Sequence, residues 1–476
     1  MSITIVGLGP GRVEQLTLEA WGLLQNATEV YLRTQRHPLV EQLPKGPIYA
    51  SFDDLYNTAS DFESLYQTIA ERIIALGKRP EGVIYAVPGH PMIGEQTTRL
   101  IVAGADSTPV RIVDGLSFIE PTLAALQIDG MEGLQIHDAL DIIQMYHPPL
   151  NPDLPSLIAQ VYSRTVASDL KLTLMNLYPD EYPVVLVHGA GTHGAVIERI
   201  PLYEIDRSTA IAHLTSLYIP AMQSGSSFEA LQEVLAHLRA PDGCPWDQAQ
   251  THQSLRPHFL EEVYEVLEAL DAEDNESLVE ELGDVFLHLV FQIQIAIDEG
   301  EFAYQDVFQH IVQKMIRRHP HIWGDIEVDS ASQVERNWEM LKQKEHKQKK
   351  RESHLDGVPA SLPALVQAFR IQERAAMVGF DWDDIAPVIA KVTEEINEIH
   401  HAPDAQEIAK ELGDLLFAVV NWARWLKIDP ESALRETNMR FKRRFAYIEQ
   451  QANRPLPEMS LADMDRLWDE AKQQGL

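Results

Sequence analysis

The chain has 476 residues, 45% apolar and 23% charged; this composition excludes a disordered or collagen-like protein, and the length predicts two or three cores. Its 39 basic against 72 acidic residues give a net charge of -33, which repels nucleic-acid backbones and anionic membranes, so neither is an expected partner. Cys244 is the only cysteine, so an intrachain disulfide is excluded; with no basic leader and no apolar run of transmembrane length, a cytoplasmic location is expected.

Residues 1–222 alternate helical patterns with short β-rich runs, "ITIVGLG", "GVIYAV", "PVRIV" and "YPVVLVHGAG", each closing on Gly or Pro. That alternation predicts an α/β domain. Gly7, Gly9 and Gly11 do not fit G-x-G-x-x-G, so a dinucleotide site is not supported. The stretches "YAVPGHPMIGE" and "VDGLSFIEP" again place Gly after β-rich runs, where α/β sheets bind ligands.

Together with "VGLGPG" and "LVHGAGT", these stretches resemble the tetrapyrrole methylase family over residues 1–222. The resemblance implies two α/β subdomains holding S-adenosylmethionine, with Gly7 and Gly9 in the first loop. Pro88, Gly89, His90 and Pro91 would lie on one side of the cofactor and Gly115, Leu116 and Ser117 on the other. His90 stands where the family commonly has Asp, and Gly-Leu-Ser replaces its Gly-Val-Ser; the methyl acceptor is left unknown. His90 is either a proton acceptor or a loop histidine satisfying local hydrogen bonds.

After "QSGSSF" at 223–228 the β-rich runs disappear and a helical period takes over. The lysine-rich run "KQKEHKQKKRESHLDGVPASLP" then divides the helical half, and its lack of interleaved aromatics favours a solvated linker over a nucleic-acid tract. The expected division is 1–222, 223–350 and 351–476. The two helical segments repeat each other: Gly243, Trp246 and Asp247 match Gly379, Trp382 and Asp383; "EEVYE" at 261 matches "EEINE" at 394, and "ELGD" at 281 matches "ELGD" at 411. Arg317 and Arg318 match Arg443 and Arg444, and Trp338 with Lys342 matches Trp468 with Lys472. Five features in one order, at nearly constant offset, define a duplicated domain.

In each copy Glu-x-x-Glu sits on one predicted helix and Glu-x-x-Asp on another, and a spacing of three puts both members of a pair on one helical face. One copy offers Glu262, Glu265, Glu281 and Asp284; the other Glu395, Glu398, Glu411 and Asp414. Four converging carboxylates repel one another unless a hard cation joins them, and Mg2+ takes oxygen ligands while bridging to phosphates. A lone Glu-x-x-Glu is most often a solvated face; its repetition beside an otherwise apolar helix favours a metal site. That helix, "ELGDVFLHLVFQIQIAI", is expected to be buried, with Gly283 and Gly413 marking close helix packing at a cost of about 1 kcal/mol each relative to Ala. Trp468 can stack on a base while Lys472 reaches a phosphate, and Arg443 and Arg444 offer planar donors. Singly such a Trp is more often a core anchor and such an Arg pair surface charge, and only the repetition favours a site.

These elements, with "CPWD", "THQSL", "RRHPH" and "NMRFKRRFAYIE", resemble the all-α MazG nucleoside triphosphate pyrophosphohydrolases from about 230 to 476. The whole order of domains resembles the YabN-type fusion of a methylase-like domain to MazG. The resemblance implies hydrolysis of a nucleoside triphosphate between the α- and β-phosphates, with Mg2+ held by the two carboxylate sets and a homodimer as the assembly. Related two-domain members can confine activity to one copy, usually the second; both copies here retain all four carboxylates. In-line attack by water is expected, with Arg or Lys neutralising developing phosphate charge. Two rivals remain: a methyltransferase whose helical half senses nucleotides or dimerises, and a non-catalytic interaction protein.

Overall fold

The structure is a computed structural model and describes residues 1–56, 61–222, 225–334, 337–338, 341 and 353–476. Lys342 and the rest of 342–352, the first half of the lysine-rich run, lie outside the described residues. The chain forms two compact units, 1–249 and 250–476.

In the first unit, β1 (Ile3–Gly7), β2 (Glu29–Leu32), β3 (Ile48–Ser51), β4 (Val83–Val87) and β5 (Val110–Val113) form a parallel sheet in the order β3-β2-β4-β1-β5. Alternation along β1 feeds both faces. Ile3 and Ile5 pack with Tyr85, Ile69 and Ile73, while Val6 packs with Leu8, Leu24 and Leu32 on the other side. Each such fully buried aliphatic side chain contributes about 1.5–3 kcal/mol relative to exposure. Helices α1 (Leu18–Asn26), α2 (Asp53–Tyr56), α3 (Phe62–Gly77), α4 (Gln96–Gly104) and α5 (Ile119–Leu126) connect these strands or follow the last. Thr17 caps α1 and Asp61 caps α3 by accepting from backbone N–H groups at 3.1 and 2.8 Å.

A second sheet is mixed. It takes β6 (Gln135–Asp138), β7 (Ser156–Ala159), β8 (Pro183–His188), β9 (Val196–Pro201) and β10 (Thr215–Ile219) in the order β6-β7-β10-β8-β9, and only β6 and β7 run parallel. Helices α6 (Ala139–Ile142) and α7 (Arg164–Leu174) accompany it, and Leu170, Leu174, Leu186 and Leu217 lie in its core. The α/β fold with two subdomains expected from the sequence is therefore present. Two further helices, α8 (Phe228–Arg239) and α9 (Pro245–Gln248), complete the unit. Asp153 fastens the start of α8 by accepting from the Ser226 and Ser227 N–H groups at 2.9 and 3.0 Å, and the Ser227 hydroxyl, foremost, with these N–H groups holds its carboxyl below the usual range.

The second unit is all helical: α10 (Arg256–Ala272), α11 (Asn275–Glu299), α12 (Tyr304–Arg318), α13 (Pro320–Trp323), α14 (Ala364–Met377), α15 (Ile385–His401), α16 (Ala405–Trp425), α17 (Pro430–Gln451) and α18 (Leu461–Gln473). A tight link joins α10 to α11: Glu273 is left-handed at φ 53°, and Asp274 caps α11 by accepting from Glu276 and Ser277 N–H groups. So short a link makes the two helices neighbours. Asp404 caps α16 in the same way after α15.

Two packing expectations are corrected. On α11, Val290, Phe291 and Ile295 are buried, but Val279, Leu282, Phe286 and Leu289 are exposed. Within the chain α11 packs chiefly on α10, so only part of its apolar surface finds a neighbour. A Cβ added at Gly283 or Gly413 would meet nothing within 4 Å, so no element among the described residues presses against either glycine.

Candidate active sites

In the first copy, Glu262 and Glu265 stand on α10 and Glu281 on α11, and a ligand oxygen from each lies within 4.8 Å of the others. Burial, then a hydrogen bond with Glu265 and the charges of Asp284, Glu265 and Glu281, push the Glu262 carboxyl up. Burial, with Glu265, Glu280 and Asp284, likewise raises Glu281. Asp284 thus acts on the cluster electrostatically. His288, one turn beyond Asp284, is buried, sits 4.0 Å from Glu262 and is pushed toward its neutral form by burial.

The second copy repeats the geometry with different counter-charges. Glu395 and Glu398 on α15 and Glu411 on α16 again bring ligand oxygens within 4.8 Å; Asp414 is not in that set. Glu395 is 3% exposed, and its Oε2 has no hydrogen-bond partner among the described residues. Lys391 Nζ lies 2.7 Å from Glu395 Oε1 and 3.1 Å from Glu394, while Lys410 Nζ donates to Glu411 at 3.1 Å. Burial raises the Glu398 carboxyl, helped by Glu395 and Glu411 and opposed by Lys391. An open depression of about 720 Å³, lined by Thr393, Glu394, Asn397, Glu398 and His401, borders the cluster. Oxygen-only donors and a buried carboxylate oxygen without a partner fit a hard divalent cation in both chemistry and charge.

The cationic residues form a separate group. Arg444 lies over the Trp468 ring at 5.4 Å and donates from Nε to the Leu476 carbonyl at 2.7 Å. Arg318 lies over Trp338 at 5.4 Å, so the arrangement is duplicated. Trp468 also meets Phe441 at 5.1 Å, and it is therefore already engaged by an arginine and an aromatic ring. Lys472 is exposed, 3.7 Å from Asp469, and Arg443 is exposed. Among the described residues no hydrogen bond or ion pair joins Arg443, Arg444, Trp468 or Lys472 to the clustered carboxylates.

In the first unit the loops after β1, β4 and β5 meet. Gly9 and Gly89 exchange backbone hydrogen bonds at 3.1 and 2.9 Å, and a Cβ on Gly7 would lie 2.7 Å from both the Gly115 nitrogen and the Gly89 carbonyl. No other residue fits there. Pro88 precedes this crossing and is half-buried. His90 accepts from the Met92 N–H at 3.0 Å and faces Asp114 at 3.4 Å, so both ring nitrogens have local partners. The Ser117 hydroxyl donates to Glu120 at 2.6 Å and accepts from the Ile119 N–H, bracing the start of α5.

Several neighbours were not singled out from the sequence. Lys391 lies four residues before Glu395, a spacing that places it on the same helical face. Arg33, just after β2, donates to buried Glu95 at 2.8 Å and to Tyr56 at 3.0 Å, and Thr97 donates to Glu95 at 2.6 Å. A charge directly after a β-rich run was the available signal. His37 is 6% exposed, and burial holds its pKa down to about 4.

A family model of the MazG nucleotide pyrophosphohydrolase domain matches residues 250–323 and 385–447, and one of the tetrapyrrole (corrin/porphyrin) methylases matches 2–206. Fold and matches together define an α/β methylase-type domain joined to an all-α nucleotide-pyrophosphohydrolase-type region. The uncharacterized protein YabN of Bacillus subtilis is 44% identical over 99% of this chain and 98% of its own. The nucleoside triphosphate pyrophosphohydrolase/pyrophosphatase MazG of Thermotoga maritima is 43% identical over 52% of this chain and 97% of its own. The nucleoside triphosphate pyrophosphohydrolase of Escherichia coli K12 is 42% identical over 53% and 99%. The chain belongs to the YabN-type family, in which a tetrapyrrole methylase-like domain is fused to MazG.

Proposed function

We propose that the chain hydrolyses nucleoside triphosphates to nucleoside monophosphates and pyrophosphate in its helical region. The observation that carries this reading is the twofold recurrence of three carboxylates within 4.8 Å, on paired helices. Glu262, Glu265 and Glu281 with Asp284, and Glu395, Glu398 and Glu411 with Asp414, would hold Mg2+. When bound, Mg2+ neutralises phosphate charge and makes water a better nucleophile. Glu262, Glu281 and Glu398, whose carboxyls are raised, are the acids we assign as proton acceptors for the attacking water. Arg443, Arg444 and Lys472 supply positive charge for the departing pyrophosphate, and Trp468, braced by Arg444, offers its remaining surface to the base.

Residues 1–222 form the methylase-like domain in this reading, with 223–350 and 351–476 as the two helical copies. Gly7, Gly9, Pro88, Gly89, His90, Gly115 and Ser117 border an S-adenosylmethionine site whose methyl acceptor is not specified by these residues. The exposed apolar surfaces of α11 and α16 support a homodimer. Among the described residues no helix is long and apolar enough to cross a membrane. The acidic excess, -33 overall, disfavours nucleic acid as a partner. The test is a panel of nucleoside triphosphates with Mg2+: monophosphate and pyrophosphate should appear in equal amounts and stop with chelator. Diphosphate and orthophosphate instead would refute the assigned bond.

A further inference from the structure

The two carboxylate clusters share their ligand set and differ in the charge built around it. Beside the first copy, the positions matching Lys391 and Lys410 carry His258 and Glu280. His258 is exposed and, among the described residues, pairs only with Glu261, at 3.9 Å. His288, 4.0 Å from Glu262, is an imidazole and not a permanent cation. Among the described residues the first cluster therefore has no fixed cation on its ligands, and Glu280 adds an anion. Beside the second copy, Lys391 sits on Glu395 Oε1 at 2.7 Å and Lys410 on Glu411 at 3.1 Å. The Lys391 pair is the stronger of the two, because Glu395 is nearly inaccessible to water while Lys410 is 64% exposed and screened.

We propose that Lys391 is a built-in counter-cation that makes the second cluster the weaker divalent-metal site of the chain, leaving the first as the tight one. The inference rests on the reading of both clusters as metal sites. Lys391 holds Oε1 of Glu395 and leaves the unpartnered, buried Oε2 for a ligand bond. A metal entering there meets a resident ammonium on the same carboxylate, whereas at Glu262, Glu265 and Glu281 it meets three carboxylates within 4.8 Å and, among the described residues, no ammonium or guanidinium paired with them. An ammonium a few ångströms from a divalent ion lowers affinity by about an order of magnitude even at the dielectric constant of water. The two copies are thereby graded: at limiting metal the first fills while the second stays metal-free, its charge balanced by its own lysine.

The test titrates the full-length protein with Mn2+, an oxygen-seeking stand-in for Mg2+, and follows free ion by electron paramagnetic resonance. E265Q/E281Q leaves only the second cluster, and E398Q/E411Q leaves only the first. The combined variant gives the background from other acidic groups, such as Glu299 and Glu301 near His252. The first cluster alone should bind about tenfold or more tightly than the second. K391M in the E265Q/E281Q background should tighten binding by about tenfold, and K391R should leave it weak. Lys391 is 38% exposed, so these variants should fold, and circular dichroism checks this. Equal affinities for the two clusters, or a folded K391M variant that binds no more tightly, would overturn the proposal. If wild type binds no more Mn2+ than the combined variant, the metal reading itself falls and the proposal with it.

Discussion

Gly115→Ala offers a clean test of the loop crossing in the first unit, because Gly115 does not occupy the left-handed region and alanine is excluded there by contact alone. Its Cβ would stand 2.5 Å from the Gly89 carbonyl oxygen and 2.9 Å from the Gly7 backbone. Both neighbours are backbone, so no side chain can swing away; the loops must separate by about 0.5–1 Å to reach ordinary contact. Overpacking costs about 1–3 kcal/mol, and the two Gly9–Gly89 hydrogen bonds on the displaced loop contribute about 1 kcal/mol each. A total loss near 3 kcal/mol lowers the melting temperature of a unit this size by about 6–12 °C. Differential scanning calorimetry measures it, with S-adenosylmethionine added to test whether the ligand still raises the transition. Gly22→Ala, in a helix with nothing within 4 Å, is the control and should be neutral or slightly stabilising. A G115A protein that melts within about 1 °C of wild type would refute the steric argument, and one that keeps the ligand-induced rise would remove these loops from the cofactor site.

Acidification should act in opposite directions through His37 in the first unit and through the clustered carboxyls of the second. His37, held at about 4 when folded and near 6.5 when unfolded, costs the first unit about 2 kcal/mol between pH 7 and 5, because the unfolded state takes up the proton first. His37→Gln should flatten that slope in calorimetry. The raised Glu262, Glu281 and Glu398 carboxyls bind protons more readily when folded, so they contribute stability to the metal-free helical unit as pH falls through their range, opposed at lower pH by Asp274, Asp381 and Asp463, whose carboxyls are lowered. Saturating Mg2+ should abolish that gain, and a slope unaffected by Mg2+ contradicts a shared metal. Leu416→Glu, at a 52% exposed position on α16, should convert a dimer to monomer in light scattering with a change in monomer stability of under about 1 kcal/mol; an unchanged mass places the contact elsewhere.

The runs that became β1, β4, β5 and β8 were legible because β-branched residues stop abruptly at Gly or Pro, and strand ends are where this sheet gathers its loops. The carboxylate clusters were legible because a spacing of three on a helix fixes the face, and duplication removed coincidence. Lys391 was hidden by the same comparison: matching the copies highlights what they share, and the lysine is where they differ. Gly283 and Gly413 show another limit. The sequence records that a side chain is missing from a helix, but not what approaches it, and among the described residues nothing does. The apolar length of α11 likewise says that burial is favourable without saying whether the covering surface is in the same molecule. The mixed second sheet depends on long-range pairing of β10 between β7 and β8, which no local pattern specifies.

The most direct measurement is initial-rate pyrophosphate release, at saturating Mg2+ and nucleoside triphosphate, by wild type, E281A, E411A and the double variant. The account predicts loss of activity in at least one single variant and its abolition in the double variant, all four proteins remaining folded. Wild-type turnover by a folded double variant would contradict it.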